Sequence, residues 1–357
     1  MDFETVLLRL GWSAQRQAQL QNLDVATWVP ARVSGQHRGR YDLLGCPVAS
    51  AHPAGRSRYQ GSAAPAVGDW VAVEPTPGLG VIHAVLPRTS VLERKRPGVE
   101  QPQVVAANVD VVFVVASAEK APNLRRIERT LAVVAAGGAR PVVVLNKVDL
   151  SAEAAGGSSE LVASLPGASC LATSAVSGLG IAELRAFLPP GTTGALLGPS
   201  GAGKSSLINA LVGHMRVAIG AVRATDGKGR HTTTRRELIE LADGACLIDT
   251  PGMRELGLWD AGEGIERTFS DVTALAAQCR FRDCRHQGEP GCIVAAALEA
   301  GELDADRLAS FEKLRREDEL QERRADPRAS AANKGRWKSI HRQQRARRLI
   351  DPKLKEE

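Results

Sequence analysis

The sequence predicts a chain of three regions: a small β-barrel, a doubly wound α/β domain, and a helical, polar module that carries a cluster of cysteines. Three observations support this. Up to about residue 105, short runs with β character alternate with turn residues. From Asn108 apolar strands alternate with helically spaced segments, and after about residue 265 the pattern turns helical and polar. The regions are therefore 1–105, 106–268 and 269–357.

In the first region the runs "WVPARVSG", "GRYDLLG", "GDWVAVEP" and "GVIHAVLP" have strand character. Roughly five short strands at this spacing suggest a small barrel, of which an oligonucleotide-binding type is one of several options. In the second region "VDVVFVVAS" suits a buried parallel strand. Leu124, Ile127, Leu131 and Val134 then fall at steps of three and four before Gly137 and Gly138. "PVVVLNKVDL" is a second buried strand. This β-α-β order implies a parallel sheet whose ligands sit beyond the carboxyl ends of its strands.

The loop "GPSGAGKSS" fits the pattern G-x-x-x-x-G-K-[ST], follows the apolar strand "TGALL" and opens a helix in which Leu207 and Leu211 share a face. Its glycines let backbone N–H groups curl round phosphate oxygens at a helix N-terminus. Gly198, Ser200, Gly201, Ala202, Gly203, Lys204, Ser205 and Ser206 are the candidate phosphate-binding residues. Lys204 can reach the β- and γ-phosphates, and the Ser205 hydroxyl can ligate Mg²⁺. "ACLIDTPG" is an apolar strand ending in Asp249, placed to hold Mg²⁺ through water, and Gly252, whose N–H could sense the γ-phosphate.

Base choice comes from an earlier segment. In "NKVD" Asp149 can accept from N1–H and the 2-amino group of guanine, while Asn146 and the Lys147 stem can brace the ring. In "TSAVSG" the N–H of Ala175 can bond the guanine O6, with Ser174 shaping the turn. A site missing such bonds leaves buried polar groups unpaired, so GTP or GDP is favoured over ATP. The base elements precede the phosphate loop, which precedes a threonine-rich switch, "GRHTTTRREL", and then "DTPG". A site is defined by geometry and not by chain order. The domain therefore reads as circularly permuted. The segment from Met253 is the part expected to move on hydrolysis, and it leads into the cysteine module, which nucleotide state could swing.

Cys279, Cys284, His286 and Cys292 form C-x₄-C-x-H-x₅-C. Three thiolates and an imidazole are the ligand set of a closed tetrahedral zinc site, which is a structural role. Arg280, Arg282 and Arg285 add positive charge between the ligands.

At 357 residues and 43% apolar the chain is long enough to bury real cores. The start lacks a basic segment followed by an apolar run, and no stretch approaches the roughly 20 apolar residues of a membrane span. A soluble, cytoplasmic and monomeric protein is the expectation. Cys46, Cys170 and Cys246 are scattered singly, so a disulfide framework is not expected, and Cys246 in "ACLID" reads as a small buried thiol. The net charge of +6 is unevenly spread: residues 328–348 hold eight Lys or Arg and no acid, with Trp337 among them. A polyanion is the natural partner, and RNA fits better than a membrane because no apolar face of comparable length accompanies the charge.

Through "NKVDL", "SAVSGLG", "GPSGAGKSSLIN", "GRHTTT", "IDTPG" and "CRFRDCRHQGEPGC" the chain resembles the bacterial ribosome small-subunit-dependent GTPase A family. The resemblance covers nearly the whole length and is weakest in the first 25 residues and beyond about Arg328. It implies an N-terminal oligonucleotide-binding (OB) barrel and a GTP hydrolase of late small-subunit maturation. Its partners would be the small ribosomal subunit and its 16S rRNA, with no DNA. Many GTPases carry a glutamine after the "D-x-x-G" glycine to orient water, whereas here Met253 stands there, and a thioether cannot do this. His231 is the candidate substitute. By its place in the family's triplet, Thr233 is the candidate for Mg²⁺ and the γ-phosphate, with Thr232 and Thr234 as alternatives.

Overall fold

The structure, a computed structural model, describes residues 2–23, 25–55, 64–95, 102–150, 161–213, 236–249, 257 and 261–325. The chain opens with two short helices that the sequence did not announce, α1 (Phe3–Arg9) and α2 (Ala14–Gln21). Each is started by a capping side chain: Asp2 accepts from the N–H of Thr5 at 2.8 Å and Ser13 from that of Arg16 at 3.4 Å.

Five strands follow: β1 (Val29–His37), β2 (Arg40–Leu44), β3 (Ser50–Pro53), β4 (Trp70–Glu74) and β5 (Gly80–Val85). They run in the order β1-β2-β3-β5-β4, and β4 pairs back onto β1, so the sheet closes into an OB-type barrel. Its interior is filled by Ala31, Val33, Tyr41, Leu43, Ala51, Val71, Val73 and Ile82. The β3 segment "SAHP" lacks alternating apolar residues, so only its pairing with β2 and β5 makes it a strand. A separate hairpin, β6 (Val91–Lys95) and β7 (Pro102–Ala107), leads out of the barrel.

The central domain contains β8 (Val111–Ser117), α3 (Leu124–Ala136), β9 (Arg140–Asn146), β10 (Ser169–Thr173), α4 (Ile181–Ala186), β11 (Thr193–Leu197), α5 (Lys204–Val212), β12 (Glu237–Glu240) and β13 (Cys246–Asp249). Its strands lie in the order β10-β9-β8-β11-β13-β12, all parallel except β12. Cys246 is fully buried, and burial pushes its thiol up to about 11, the inert core role its neighbours suggested. The outer edge of β12 meets β1 at Gly35 opposite Glu237, so among the described residues barrel and central domain share one eleven-stranded sheet.

Arg32 locks the two together. Its guanidinium is 1% exposed and donates to the carbonyls of Leu10, Gly68 and Asn108, one each from the helical N-terminus, the barrel and the entrance to the central domain. Burial lowers its pKa to about 10, so it remains charged at neutral pH.

The C-terminal region is helical: α6 (Gly262–Thr268), α7 (Ser270–Ala276), α8 (Ile293–Glu299) and α9 (Ala305–Ala325). A Cβ at Gly264 would lie 2.0 Å from the carbonyl of Ala132, so glycine is what lets α6 press against α3. Arg307 of α9 pairs with buried Glu128 of α3 at 2.8 Å and with Asp271 of α7 at 2.7 Å. Arg129 forks onto Glu317 at 2.6 and 2.7 Å. The sequence suggested that nucleotide state could swing the module behind "DTPG"; among the described residues α6 and α9 pack on α3, and α7 is tied to α9 through Asp271 and Arg307. No helix among the described residues is long and apolar enough to cross a membrane.

Candidate nucleotide and metal sites

The phosphate loop leaves the carboxyl end of β11, which lies centrally, between β8 and β13. Glycine is required here by space as well as by backbone angle. A Cβ at Gly198 (φ 153°) would sit 2.2 Å from the carbonyl of Val115, and one at Gly203 (φ 89°) would sit 2.2 Å from Asn146 Nδ2. Gly203 also starts α5, so the loop's N–H groups gather at that helix's N-terminus. Ala202 is buried beneath the loop, while Ser200, Ser205 and Ser206 are partly exposed. The Lys204 ammonium donates to the carbonyls of Gly198 and Pro199, both at 2.8 Å, which holds it over the loop. Asp249 ends the adjacent strand, β13.

On the other side of β11, beyond β8, the end of β9 delivers the "NKVD" segment. Asn146 is 1% exposed: its amide donates to the carbonyl of Ala202 at 2.9 Å and accepts from Thr173 Oγ1 at 3.2 Å. These bonds tie the phosphate loop to β10 through Asn146. Lys147 adopts a left-handed backbone (φ 67°), uncommon for a residue with a Cβ, and its Nζ lies 2.8 Å from Glu119 Oε2. Asp149 is exposed in a 3₁₀ turn over Val148–Leu150.

The "TSAVSG" turn follows β10. Ser174 is fully buried: its Oγ accepts from the N–H of Ser177 at 3.1 Å, and its own N–H donates to the carbonyl of Leu179 at 2.9 Å. Ala175 is partly exposed on the same turn. Phosphate loop, "NKVD" and "TSAVSG" thus all lie at the carboxyl ends of β11, β9 and β10. A cavity of about 520 Å³ opens beside the loop, lined by Gly198 to Ala202, the end of β8, the first turn of α3, Glu119 and Lys147. Sequence reasoning missed Glu119, which has no motif of its own. His231, Thr232, Thr233, Thr234, Gly252, Met253 and the basic tail lie outside the described residues.

The metal cluster assembles between α7 and α8. The ligand atoms of Cys279, Cys284, His286 and Cys292 all lie within 4.8 Å of one another. Cys279 Sγ and Cys292 Sγ are 4.0 Å apart and lie 3.7 and 3.6 Å from His286 Nδ1. Zinc bonds of about 2.3 Å to sulfur and 2.0–2.1 Å to nitrogen place tetrahedral neighbours roughly 3.5–3.8 Å apart, so the donor set fits that ion. Glu289 ties the intervening loop together, accepting from the N–H groups of Arg285 at 2.9 Å and Gln287 at 2.7 Å. His286 is in the left-handed region (φ 60°), and Gly288 and Gly291 turn the chain on either side of Glu289.

Residues 85–259 match the family described as RsgA GTPase. A relative from Opitutus terrae, named small ribosomal subunit biogenesis GTPase RsgA, is 47% identical over 361 residues, covering 97% of this chain and 98% of that protein. One of the same name from Syntrophotalea carbinolica is 42% identical, covering 94% and 96%. Among solved structures, YjeQ from Thermotoga maritima aligns with a TM-score of 0.60 at 28% identity, covering 80% of this chain and 97% of that one. YloQ, described as a circularly permuted GTPase, aligns with a TM-score of 0.57 at 22% identity over 83% of this chain and 96% of that one, a likeness of fold. With barrel, rearranged nucleotide domain and cysteine module all inside the aligned length, the chain belongs to the RsgA GTPase family.

Proposed function

We propose that this GTPase acts on the small ribosomal subunit late in its maturation. It turns over slowly alone and faster on the particle, contacts 16S rRNA, and uses hydrolysis to leave or to release an assembly factor. The observation that carries this reading is the near full-length identity to proteins named for small-subunit biogenesis, which extends beyond the nucleotide domain to the barrel and the metal module. The net charge of +6 and the basic tail suit an RNA partner, a cytoplasmic setting follows from that partner, and we take the working unit to be a monomer.

In this reading guanine is selected by Asp149 and the Ala175 N–H, and the phosphates are held by the loop N–H groups and Lys204. Mg²⁺, bound by Ser205, Thr233 and Asp249 with Gly252 near the γ-phosphate, would neutralise phosphate charge. Zn²⁺ on the three cysteines and His286 would hold the knuckle folded, without a chemical role. His231 would orient water in place of the absent glutamine.

The deciding measurement is GTP hydrolysis with and without purified small subunits, paired with co-sedimentation in a non-hydrolysable GTP analogue and in GDP. Stimulation, together with retention in the GTP-like state at least several-fold above that in GDP, is the expected result. Equal co-sedimentation in both states would sink the release step, and an unstimulated rate would leave a nucleotide-regulated RNA-binding protein. His231→Ala should lower the stimulated rate and spare nucleotide binding.

A further inference from the structure

Glu119 stands just past the carboxyl end of β8, where Ser117 lies in register with Asn146 of β9. Its Oε2 accepts from Lys147 Nζ at 2.8 Å and from Ser117 Oγ at 2.9 Å, while its own N–H donates to Ser117 Oγ at 3.3 Å. The carboxylate is therefore fixed to its own strand end as well as to the lysine. A Cβ at Gly203 would lie 3.7 Å from Lys147 Cε, so the lysine stem runs across the start of α5 and its far end is pinned by Glu119. Both residues line the cavity beside the phosphate loop.

We propose that Glu119 is a positioning residue for the guanine nucleotide, holding the Lys147 stem stretched as an apolar wall for the base. The proposal rests on the base-recognition reading of "NKVD" given above. A free lysine side chain has several rotatable bonds, and ordering it on binding opposes affinity; a stem whose end is already anchored loses less. The left-handed backbone at Lys147 acts in the same direction by presetting where the stem starts. The hydrogen bonds from Lys147 and Ser117 hold the Glu119 carboxyl below the usual carboxylate range, so the anchor is charged throughout neutral pH. Glu119 is 45% exposed at its side chain and supports no core, so its replacement should leave the fold intact.

The test is a double-mutant cycle on the full chain, reading Kd for fluorescent GDP together with KM and kcat for GTP. Glu119→Ala should raise Kd and KM about three- to tenfold, the range of one partly exposed charged contact, with kcat moved less than about twofold. Glu119→Gln, which can still accept from the ammonium, should recover part of the loss. In a Lys147→Ala background, Glu119→Ala should add nothing, because the group it positions is gone. Unchanged or tighter binding in Glu119→Ala, or losses that simply add, would overturn the proposal while Lys147→Ala stays weak. Normal binding by Lys147→Ala would overturn the base-recognition reading and this proposal with it.

Discussion

At the scale of single residues, the site divides into groups proposed to touch the nucleotide and groups that hold the loop. Lys204 is kept over the phosphate loop by two of the loop's own carbonyls, so its ammonium is pre-placed where phosphate charge would gather. Lys204→Ala or Ser205→Ala should lower kcat by about 10²–10³ or more, with steady-state hydrolysis as the measurement. Asp149 is exposed and therefore open to an incoming base. Asp149→Asn should weaken GTP by about 1.5–3 kcal/mol, roughly ten- to a hundredfold, and admit xanthine nucleotide, whose 2-oxo group prefers an amide donor. Competition binding with GTP and XTP decides it, and parent-like GTP affinity would remove Asp149 from base choice. Asn146 shows where motif reading stops. The letters "NKVD" say that an amide stands there, but only the packed chain brings Ala202 and Thr173 within its reach.

Among elements, α3 is the junction. Its first turn lines the cavity beside the phosphate loop, and its middle carries Glu128 and Arg129, the partners of Arg307 and Glu317 on α9. Helix α3 thus touches both the cavity beside the phosphate loop and the C-terminal helices α6 and α9. Arg307→Met would leave Glu128 buried without its cation, which costs about 3–5 kcal/mol. Thermal unfolding should then report early release of the C-terminal helices. Milder acid sensitivity belongs to Glu317. The Arg129 hydrogen bonds lower its carboxyl below the usual range, so its contribution is present above the unfolded glutamate value and lost as pH falls through the lowered folded one. The pair is about one-third exposed, which keeps the effect small, and Glu317→Gln should flatten that part of the acid limb of a stability-versus-pH curve. Chelation should unfold the loop between Cys279 and Cys292 while α6 and α9 stay docked on α3. Metal content and limited proteolysis would report this, and loss of the whole module would contradict the packing described above.

Over the whole molecule, barrel and nucleotide domain are joined in three ways: the β1–β12 strand contact, the buried Arg32, and α1, whose Arg9 pairs with Glu240 at 2.8 Å. The barrel is thus attached at the strand that follows the threonine-rich switch. Gly68→Ala tests the joint. At φ 91° the added Cβ would meet the carbonyl of Ala107 at 2.1 Å, so the barrel must move away from the chain entering the central domain. Calorimetry should resolve two transitions in place of one, with guanine affinity falling less than barrel stability. A single unshifted transition would show that the joint is not rigid.

What could be read from the sequence was whatever is encoded within a few residues. The apolar runs of β8, β9, β11 and β13 reveal themselves because both faces of a parallel sheet are buried, and the phosphate loop because its glycines answer to local backbone angles. The cysteine spacing names a metal site because its ligands sit within fourteen residues, from Cys279 to Cys292. Long-range pairing decided the rest. The strand "SAHP" is held by partners on two sides, and Arg32 would pass for a surface cation until three backbone carbonyls close round it. Glu119 lies 28 residues from the lysine it holds. Propensity and periodicity report a residue's preference for a face or a turn; which distant group completes its hydrogen bonds is determined only when the sheet order brings the strand ends together.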